Sequence, residues 1–335
     1  MLPQRLMLKI GAINDPSFSQ RLIAWQRQHG RHDLPWQGTR DPYRIWLSEV
    51  MLQQTQVTTV IPYYRRFLAR FPNVKALARA SEDEVLALWS GLGYYARGRN
   101  LHRAARVIAK QGFPRSAEQI AELPGVGRST AAAIAVFAHG ERAAILDGNV
   151  KRVLARTFGL TDALSLWAQA ERLLPAGNIE RYTQALMDLG ATVCTRRMPG
   201  CERCPVATMC VARKEGRTAE LPGPRARKAL PLKRTTWWVL LKNGRVLLEK
   251  RPSSGLWGGL LTFPERVCES WRITSRQTLA IVEHGFTHFR LRATPILCVV
   301  DEARREKNQQ WLALARVARA PLPTPVKRLL LEIGL

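Results

Sequence analysis

Apolar and polar positions along the first two hundred residues follow a helical period. In SFSQRLIAWQRQH (17–29), Phe18, Leu22 and Trp25 recur at spacings of four and three, which predicts a short amphipathic helix. The turn signal Asp33-Leu34-Pro35 follows. The stretch DPYRIWLSEVMLQQTQVTTVIPYYRRFLARF (41–71) is mostly helical in pattern, and Pro62 predicts a break within it. Residues 81–112 open on Ser81 and Glu84 at capping-box spacing and are interrupted at Gly91-Leu92-Gly93. Ser116 and Gln119 repeat that spacing and predict a helix to about Glu122. LPGVGRST then turns into an Ala-rich helix. In AILDGNVKRVLART, apolar Ala144, Ile145 and Leu146 lead into Asp147, with a new helix predicted from Asn149 or Val150.

The pattern changes after residue 212. Residues 213–234 hold three prolines (Pro222, Pro224, Pro231) and eight basic residues against two acidic ones, which predicts a stiff charged linker with no core of its own. Beyond it, TTWWVLL and RVLLEKR flank Lys242-Asn243-Gly244, and Asn-Gly is a strong hairpin signal. More strand-like text follows at 280–300, and a closing helix is expected near Thr324 with Pro325 at its first position. Residues 235–335 therefore read as a separate α+β domain.

Composition adds a partner to this outline. The 335 residues include 52 Lys plus Arg against 26 Asp plus Glu, a formal charge of +26. Such an excess favours a polyanion, because each neutralised phosphate releases condensed counterions, and nucleic acid is preferred to anionic lipid. The N-terminal residues lack the apolar core of a signal peptide, and no run of about 18 apolar residues marks a membrane span. The expectation is a cytoplasmic protein, in which six cysteines are not paired as disulfides.

Three local patterns carry candidate chemistry. Glu49 lies among Trp46, Val50 and Leu52, neighbours that would desolvate its carboxyl, raise its pKa and keep a proton available; the alternative is an exposed helix glutamate. Asp147 reads as a helix N-cap, a role compatible with a carboxylate that stays ionised and acts chemically. Gly125, Val126 and Gly127 form a Gly-x-Gly turn between two helices, where backbone N–H groups can hold a phosphate. The two glycines before Tyr94 and Tyr95 permit an unusual backbone and bring an aromatic ring near the surface, as a side chain entering a base stack would need. The alternative is a tyrosine packed between helices.

Cys194, Cys201, Cys204 and Cys210 have the spacing C-x6-C-x2-C-x5-C. Thiolates this dense point to metal ligation, by zinc or an iron–sulfur cluster, and the absence of histidine in the segment favours a [4Fe–4S] cluster. Arg196 and Arg197 fall in the first loop between cysteines, where they could face a DNA backbone. Cys268 and Cys298 read as buried small hydrophobes.

LPWQ, WLSEVMLQQTQV, GLGYYARGRN, LPGVGRST, ILDGNVKRV and the four cysteines, in this order, closely resemble the MutY family of adenine DNA glycosylases, in the helix–hairpin–helix superfamily. The resemblance is strong over 20–210 and weaker over 235–335, which look like that family's MutT-like (Nudix-type) domain. It implies a multidomain chain with an all-α glycosylase core. An iron–sulfur lobe would take residues 1–34 and 136–212, a six-helix barrel 35–135, a linker 213–234 and an 8-oxoguanine recognition domain 235–335.

It also implies the substrate, double-stranded DNA with adenine opposite 8-oxoguanine or guanine, and usually a monomer. Glu49 matches the general acid and Asp147 the catalytic aspartate. Gln54 and Tyr94 match residues wedged around the lesion, and Gln53 and Ser129 fall within the DNA-contacting motifs. Trp36, Asn149 and Gln184 match positions near the catalytic pair or the flipped adenine. Relatives that also cut the strand carry lysine where this chain has Ser129, which implies a monofunctional glycosylase, although Lys151 is near. Phe286, Thr287 and His288 match the family's Phe-Ser-His segment with threonine for serine, and the acidic Nudix signature is absent. The rivals are an endonuclease III-like bifunctional enzyme and a DNA-binding protein without catalysis.

Overall fold

The apolar spacing of the first helical stretch is used as its period requires. In the computed structural model, which describes residues 17–223 and 229–333, Phe18, Leu22 and Trp25 are all buried on one face of a helix. The helices in chain order are α1 (Ser17–His29), α2 (Pro42–Leu52), α3 (Val57–Arg70), α4 (Val74–Arg79), α5 (Glu82–Trp89), α6 (Tyr95–Gln111) and α7 (Ala117–Ala121). They continue with α8 (Arg128–His139), α9 (Gly148–Phe158), α10 (Ala163–Arg172), α11 (Ile179–Thr192) and α12 (Val211–Lys214). Strands follow as β1 (Leu232–Lys242), β2 (Arg245–Lys250), β3 (Leu261–Thr262), β4 (Trp271–Thr278), β5 (Val282–Gly285), β6 (Arg290–Ala303) and β7 (Gln309–Ala313), and α13 (Thr324–Ile333) closes the described chain. No helix among the described residues is long and apolar enough to cross a membrane.

The chain divides into two compact units, Met1–Gln53 with Gln111–Ala226, and Gln54–Lys110 with Arg227–Leu335. The first is helical. Its core joins Phe18, Leu22 and Trp25 of α1 to Ala132 and Val136 of α8, Val150 and Leu154 of α9, and Leu186 and Leu189 of α11. The second unit combines α3 to α6 with a mixed sheet of order β3-β2-β1-β6-β4, in which β5 also pairs with β6 and β7 with β2. β1 and β6 run parallel, Leu232 opposite Arg290 through Leu241 opposite Val299, and the other pairs are antiparallel. The Asn-Gly hairpin forms as its sequence predicts, with Asn243 (φ 49°) and Gly244 (φ 67°) both left-handed between Lys242 and Arg245. The Ser81–Glu84 capping box is complete.

Five sequence expectations change. Pro62 does not break its helix and lies inside α3. The bond it forgoes is to the Thr58 carbonyl, at an exposed position where water can serve instead. The break falls earlier, at Gln53–Gln56, where Gln54 turns left-handed (φ 57°). Helix α9 starts at Gly148, one residue before the expected start. At Ser116 only half of the second box forms: Ser116 Oγ accepts from Gln119 N, while Gln119 Oε1 accepts from Arg115 N.

The expected linker has structure of its own as far as Leu221, which is buried against Cys210 and Ala212 and accepts from Arg156 Nε through its carbonyl at 2.8 Å. Pro224 lies outside the described residues. Of the two distant cysteines, Cys298 is buried as expected, whereas Cys268 is partly exposed with its Sγ 3.0 Å from Ser270 Oγ.

Candidate active site and cysteine centre

Asp147 closes the loop before α9 and caps it. Its Oδ1 accepts from Asn149 N at 2.8 Å and Val150 N at 2.7 Å, satisfying two backbone donors that a helix start leaves open. The loop is tied to the hairpin side by Ser129 in the first turn of α8, whose Oγ accepts from Leu146 N at 2.9 Å. The hairpin is tied in turn to α2. Gln53, the residue that ends α2, donates from Nε2 to Thr130 Oγ1 at 3.2 Å and to Gly125 O at 3.4 Å. Gly125 is left-handed (φ 80°), Val126 is buried, and Gly127 caps α8 without a side-chain bond. Helix α8 therefore begins with open N–H groups beside exposed Arg128.

Glu49 projects from α2, between buried Trp46 and Val50. Its residue keeps some exposed surface, yet burial of the carboxyl and then the nearby Asp147 charge push its pKa up to about 8. Glu49 is thus protonated at neutral pH. Burial also raises the Asp147 pKa, against the opposing pull of the Val150 and Asn149 N–H groups and the Arg152 guanidinium. Among the described residues, Asp147 has two backbone donors and a cation holding its charge while burial dominates at Glu49, so the proton the pair retains belongs on Glu49.

Of the remaining expected residues of this unit, Asn149 adjoins Asp147, donating from its N to the carboxylate. Asn149 Oδ1 accepts from Arg152 Nη2 at 2.8 Å. Helix α11 passes so close to Asn149 that a Cβ on Gly190 would lie 2.6 Å from Asn149 Cβ. Gln184, on α11, donates from Nε2 to Asp188 Oδ1 at 2.9 Å, and fully buried Asp188 also binds Arg31 through its N (3.0 Å) and Nε (2.7 Å). Trp36 is buried in the turn before α2.

The four cysteines line one pocket, open in part to solvent, together with Arg156, Val153, Leu189 and Val206. Burial pushes the Cys204 thiol up to about 11, with the other three cysteines adding to the effect. Arg156 donates from Nη1 to Cys194 Sγ at 3.4 Å, and its carbonyl accepts from Cys210 Sγ at 3.4 Å. Among the described residues no three His, Cys, Asp or Glu side chains converge on one ion's position. Arg196 and Arg197 are exposed, as expected.

Arg152 and Arg156 are the site residues that the sequence reading missed. Arg152 binds the carbonyls of Cys194, Gly148 and Gly190 besides Asn149, and Arg156 binds those of Thr195, Arg196 and Leu221. One face of α9 thereby joins the Asp147 cap to the cysteine loop. The signal was present as two arginines four apart, starting five residues after Asp147.

In the second unit, Gln54 is exposed and left-handed, and Tyr94 is 45 % exposed with φ 49°. A positive φ at two non-glycine residues is strain of the kind kept where it serves a site. Phe286 N donates to Phe289 O at 2.9 Å and closes a tight turn. The Phe286 and Phe289 rings stack with centroids 4.4 Å apart, leaving Thr287 and His288 exposed at the tip, where Thr287 Oγ1 is 3.2 Å from His288 Nδ1.

Comparison with known proteins places this geometry. Residues 47–174 match the HhH-GPD superfamily base excision DNA repair protein model, and residues 236–332 match a NUDIX domain. An adenine DNA glycosylase of Buchnera aphidicola (subsp. Baizongia pistaciae) is 35 % identical over 94 % of this chain and 96 % of its own length. The structure of a thermostable thymine-DNA glycosylase, 31 % identical, superposes with a TM-score of 0.55 over 59 % of this chain and 95 % of that one. An endonuclease III–DNA complex, 19 % identical with a TM-score of 0.53, covers 64 % of this chain and 99 % of that chain, and shares the helical fold. A helical repair core followed by a Nudix-like mixed sheet agrees with these relatives, and the chain belongs to the MutY family of adenine DNA glycosylases, enzymes of base excision repair.

Proposed function

We propose that the enzyme removes adenine mispaired with 8-oxoguanine or guanine in double-stranded DNA, as a monofunctional glycosylase, and that it works as a monomer on chromosomal DNA in the cytoplasm. The observation that carries the reading is a buried Glu49 carboxyl near Asp147, whose Oδ1 is held by the Asn149 and Val150 N–H groups, an arrangement that leaves the pair's proton on Glu49. Adenine inside a duplex is out of reach and must first be flipped out. It departs poorly as an anion, so Glu49 delivers its proton to N7 while the bond to C1′ breaks. Positive charge then grows on the sugar, where the Asp147 carboxylate stabilises it. Water adds to C1′, and its proton returns to Glu49, restoring the starting state.

Gln54 and Tyr94 act as the wedge around the lesion, consistent with their exposure and left-handed backbone. The hairpin Gly125-Val126-Gly127 holds a phosphate at the start of α8. Trp36, Asn149 and Gln184 line the place of the flipped adenine, and Phe286, Thr287 and His288 contact 8-oxoguanine. Ser129 gives no amine for a Schiff base, and its hydroxyl is already engaged with Leu146 N. The proposed domains are a cluster lobe (1–34 and 136–212), a barrel (35–135), a linker (213–234) and a lesion-recognition domain (235–335).

Cys194, Cys201, Cys204 and Cys210 would hold a [4Fe–4S] cluster. The donor set fits: four thiols and no histidine surround a cavity rather than a point, and Arg156 offers a charge-assisted bond to the Cys194 sulfur. When bound, the cluster would cross-link the end of α11 to the cysteine loop. Cys204 and Cys210 must lose protons that burial retains, so assembly is favoured by higher pH.

The test is a duplex carrying one adenine opposite 8-oxoguanine, incubated with the purified enzyme and then treated with alkali. Strand breakage at that adenine with wild type, absent with Glu49→Gln and Asp147→Asn, is expected. Equal breakage by the Asp147→Asn variant would overturn the assignment. Iron analysis is expected to give ~4 irons per chain, and stoichiometric zinc would refute the cluster.

A further inference from the structure

Tyr94 ends a short loop, residues 90–94, between α5 and α6, and that loop is gripped from two directions. On one side Arg97 donates from Nη2 to the carbonyls of Leu92 (3.3 Å) and Gly93 (3.2 Å), with its guanidinium carbon 5.3 Å from the Tyr94 ring centroid. Trp89 Nε1 adds a bond to Gly93 O at 3.1 Å. On the other side, both flanks of the loop converge on one backbone oxygen of the C-terminal segment. Ser90 Oγ donates to Leu322 O at 2.7 Å, and Tyr95 Oη donates to the same oxygen at 3.3 Å. Leu322 is wholly buried, as are Ser90 and Tyr95 within a tenth of their surface. The same unit contains two further links, Arg99 Nη1 to Gly258 O and Lys250 Nζ to Asp83 Oδ1 (2.7 Å).

The loop has little freedom to absorb a shift. Gly91 (φ 99°) sits where a Cβ would lie 2.1 Å from Tyr63 Oη, which itself donates to Ser90 O at 2.9 Å. Gly93 and Tyr94 are left-handed as well. A backbone in that state persists only when its surroundings fix it.

We infer that Ser90 and Tyr95 are positioning residues: by binding the Leu322 carbonyl they let the C-terminal segment set the backbone from which Tyr94 enters the duplex. The inference rests on the reading of Tyr94 as the wedge. A domain that reads the lesion would then also hold the wedge, and a weakened grip would cost affinity for the damaged pair rather than the rate of bond cleavage.

The full-length enzyme is compared as wild type, Ser90→Ala, Ser90→Ala/Tyr95→Phe and Ser90→Thr, each with Tyr94 intact and with Tyr94→Ala. Affinity for the duplex with adenine opposite 8-oxoguanine and the single-turnover cleavage rate at saturating enzyme are both measured. The double variant is expected to bind roughly 3- to 10-fold more weakly, as befits the loss of buried hydrogen bonds, with the saturated cleavage rate within about twofold of wild type. Ser90→Thr, which keeps the hydroxyl, restores affinity. On the Tyr94→Ala background the double substitution adds no further loss, because the group it positions is gone. An equal loss on both backgrounds, or unchanged affinity with Tyr94 intact, overturns the inference. Should Tyr94→Ala itself bind the lesion as wild type does, the wedge reading fails instead.

Discussion

The Asp147 carboxylate, anchored by two backbone N–H groups, adds to the burial that keeps Glu49 protonated up to about pH 8. The proposed mechanism needs Glu49 protonated and Asp147 ionised. Below about pH 8 Glu49 holds its proton, and at higher pH it loses it. The single-turnover rate is therefore expected to fall tenfold per pH unit above about 8. An acid limb should fall where Asp147 gains a proton, above the ordinary 3.8 of that side chain. A flat profile between pH 7 and 10 would contradict it.

The same shift makes Glu49 a cost to stability at alkaline pH. Its folded pKa of about 8 exceeds the ordinary 4.5, so between these values the native state holds a proton that the unfolded chain has released. Stability contributed by that proton is complete below pH 4.5 and is lost as pH rises to 8. Glu49→Gln, which does not titrate, should be more stable than wild type by ~2–4 kcal/mol at pH 8–9 and by much less at pH 5. Denaturant melts at the two pH values check the difference and its sign.

Gly190 is expected to tolerate no side chain. A methyl group there would meet the Asn149 Cβ at 2.6 Å and its backbone carbonyl at 3.0 Å, on the turn that Asp147 caps. Gly190→Ala should lower stability by ~1–3 kcal/mol and cut the cleavage rate by at least tenfold, since both effects follow from moving the start of α9. Thermal melting and single-turnover assays report the two separately.

Ser129→Lys would place an amine on the first turn of α8 while removing the acceptor of Leu146 N. Borohydride is expected to trap a covalent complex between this variant and substrate DNA, with no such complex for wild type. Trapping of wild type to the same extent, through Lys151 for example, would show that Ser129 does not decide the outcome.

Much of this was legible in order and little of it in depth. Capping boxes, the Asn-Gly hairpin, the N-cap at Asp147 and the period of α1 are local devices, and each formed where its residues stand, with the Ser116 box half made. Pro62 misled because the cost of a helical proline depends on whether the deprived carbonyl is exposed, which is a tertiary fact. Leu221 misled similarly. Its text is that of a linker, yet its backbone oxygen completes the bonding of a buried arginine. Glu49 and Asp147 were visible as residues, but the ordering of their protons follows from burial and from Arg152, which enters from the far side of a helical turn. The contact of Ser90 and Tyr95 with Leu322 joins positions more than two hundred residues apart, and no pattern along the chain encodes it.

Both helix-capping bonds of Asp147 land on Oδ1. Oδ2 takes neither, so in the proposed mechanism the side chain is divided, one oxygen serving the fold and the other the growing charge on the sugar. Asparagine could keep the first task and forfeit the second, because its carbonyl oxygen caps as well while its amide carries no charge. Serine would keep only the cap. Glutamate, one methylene longer, would keep the anion at the expense of the cap's reach. The position thus accepts substitutes for either duty separately, and a single residue type for the two at once.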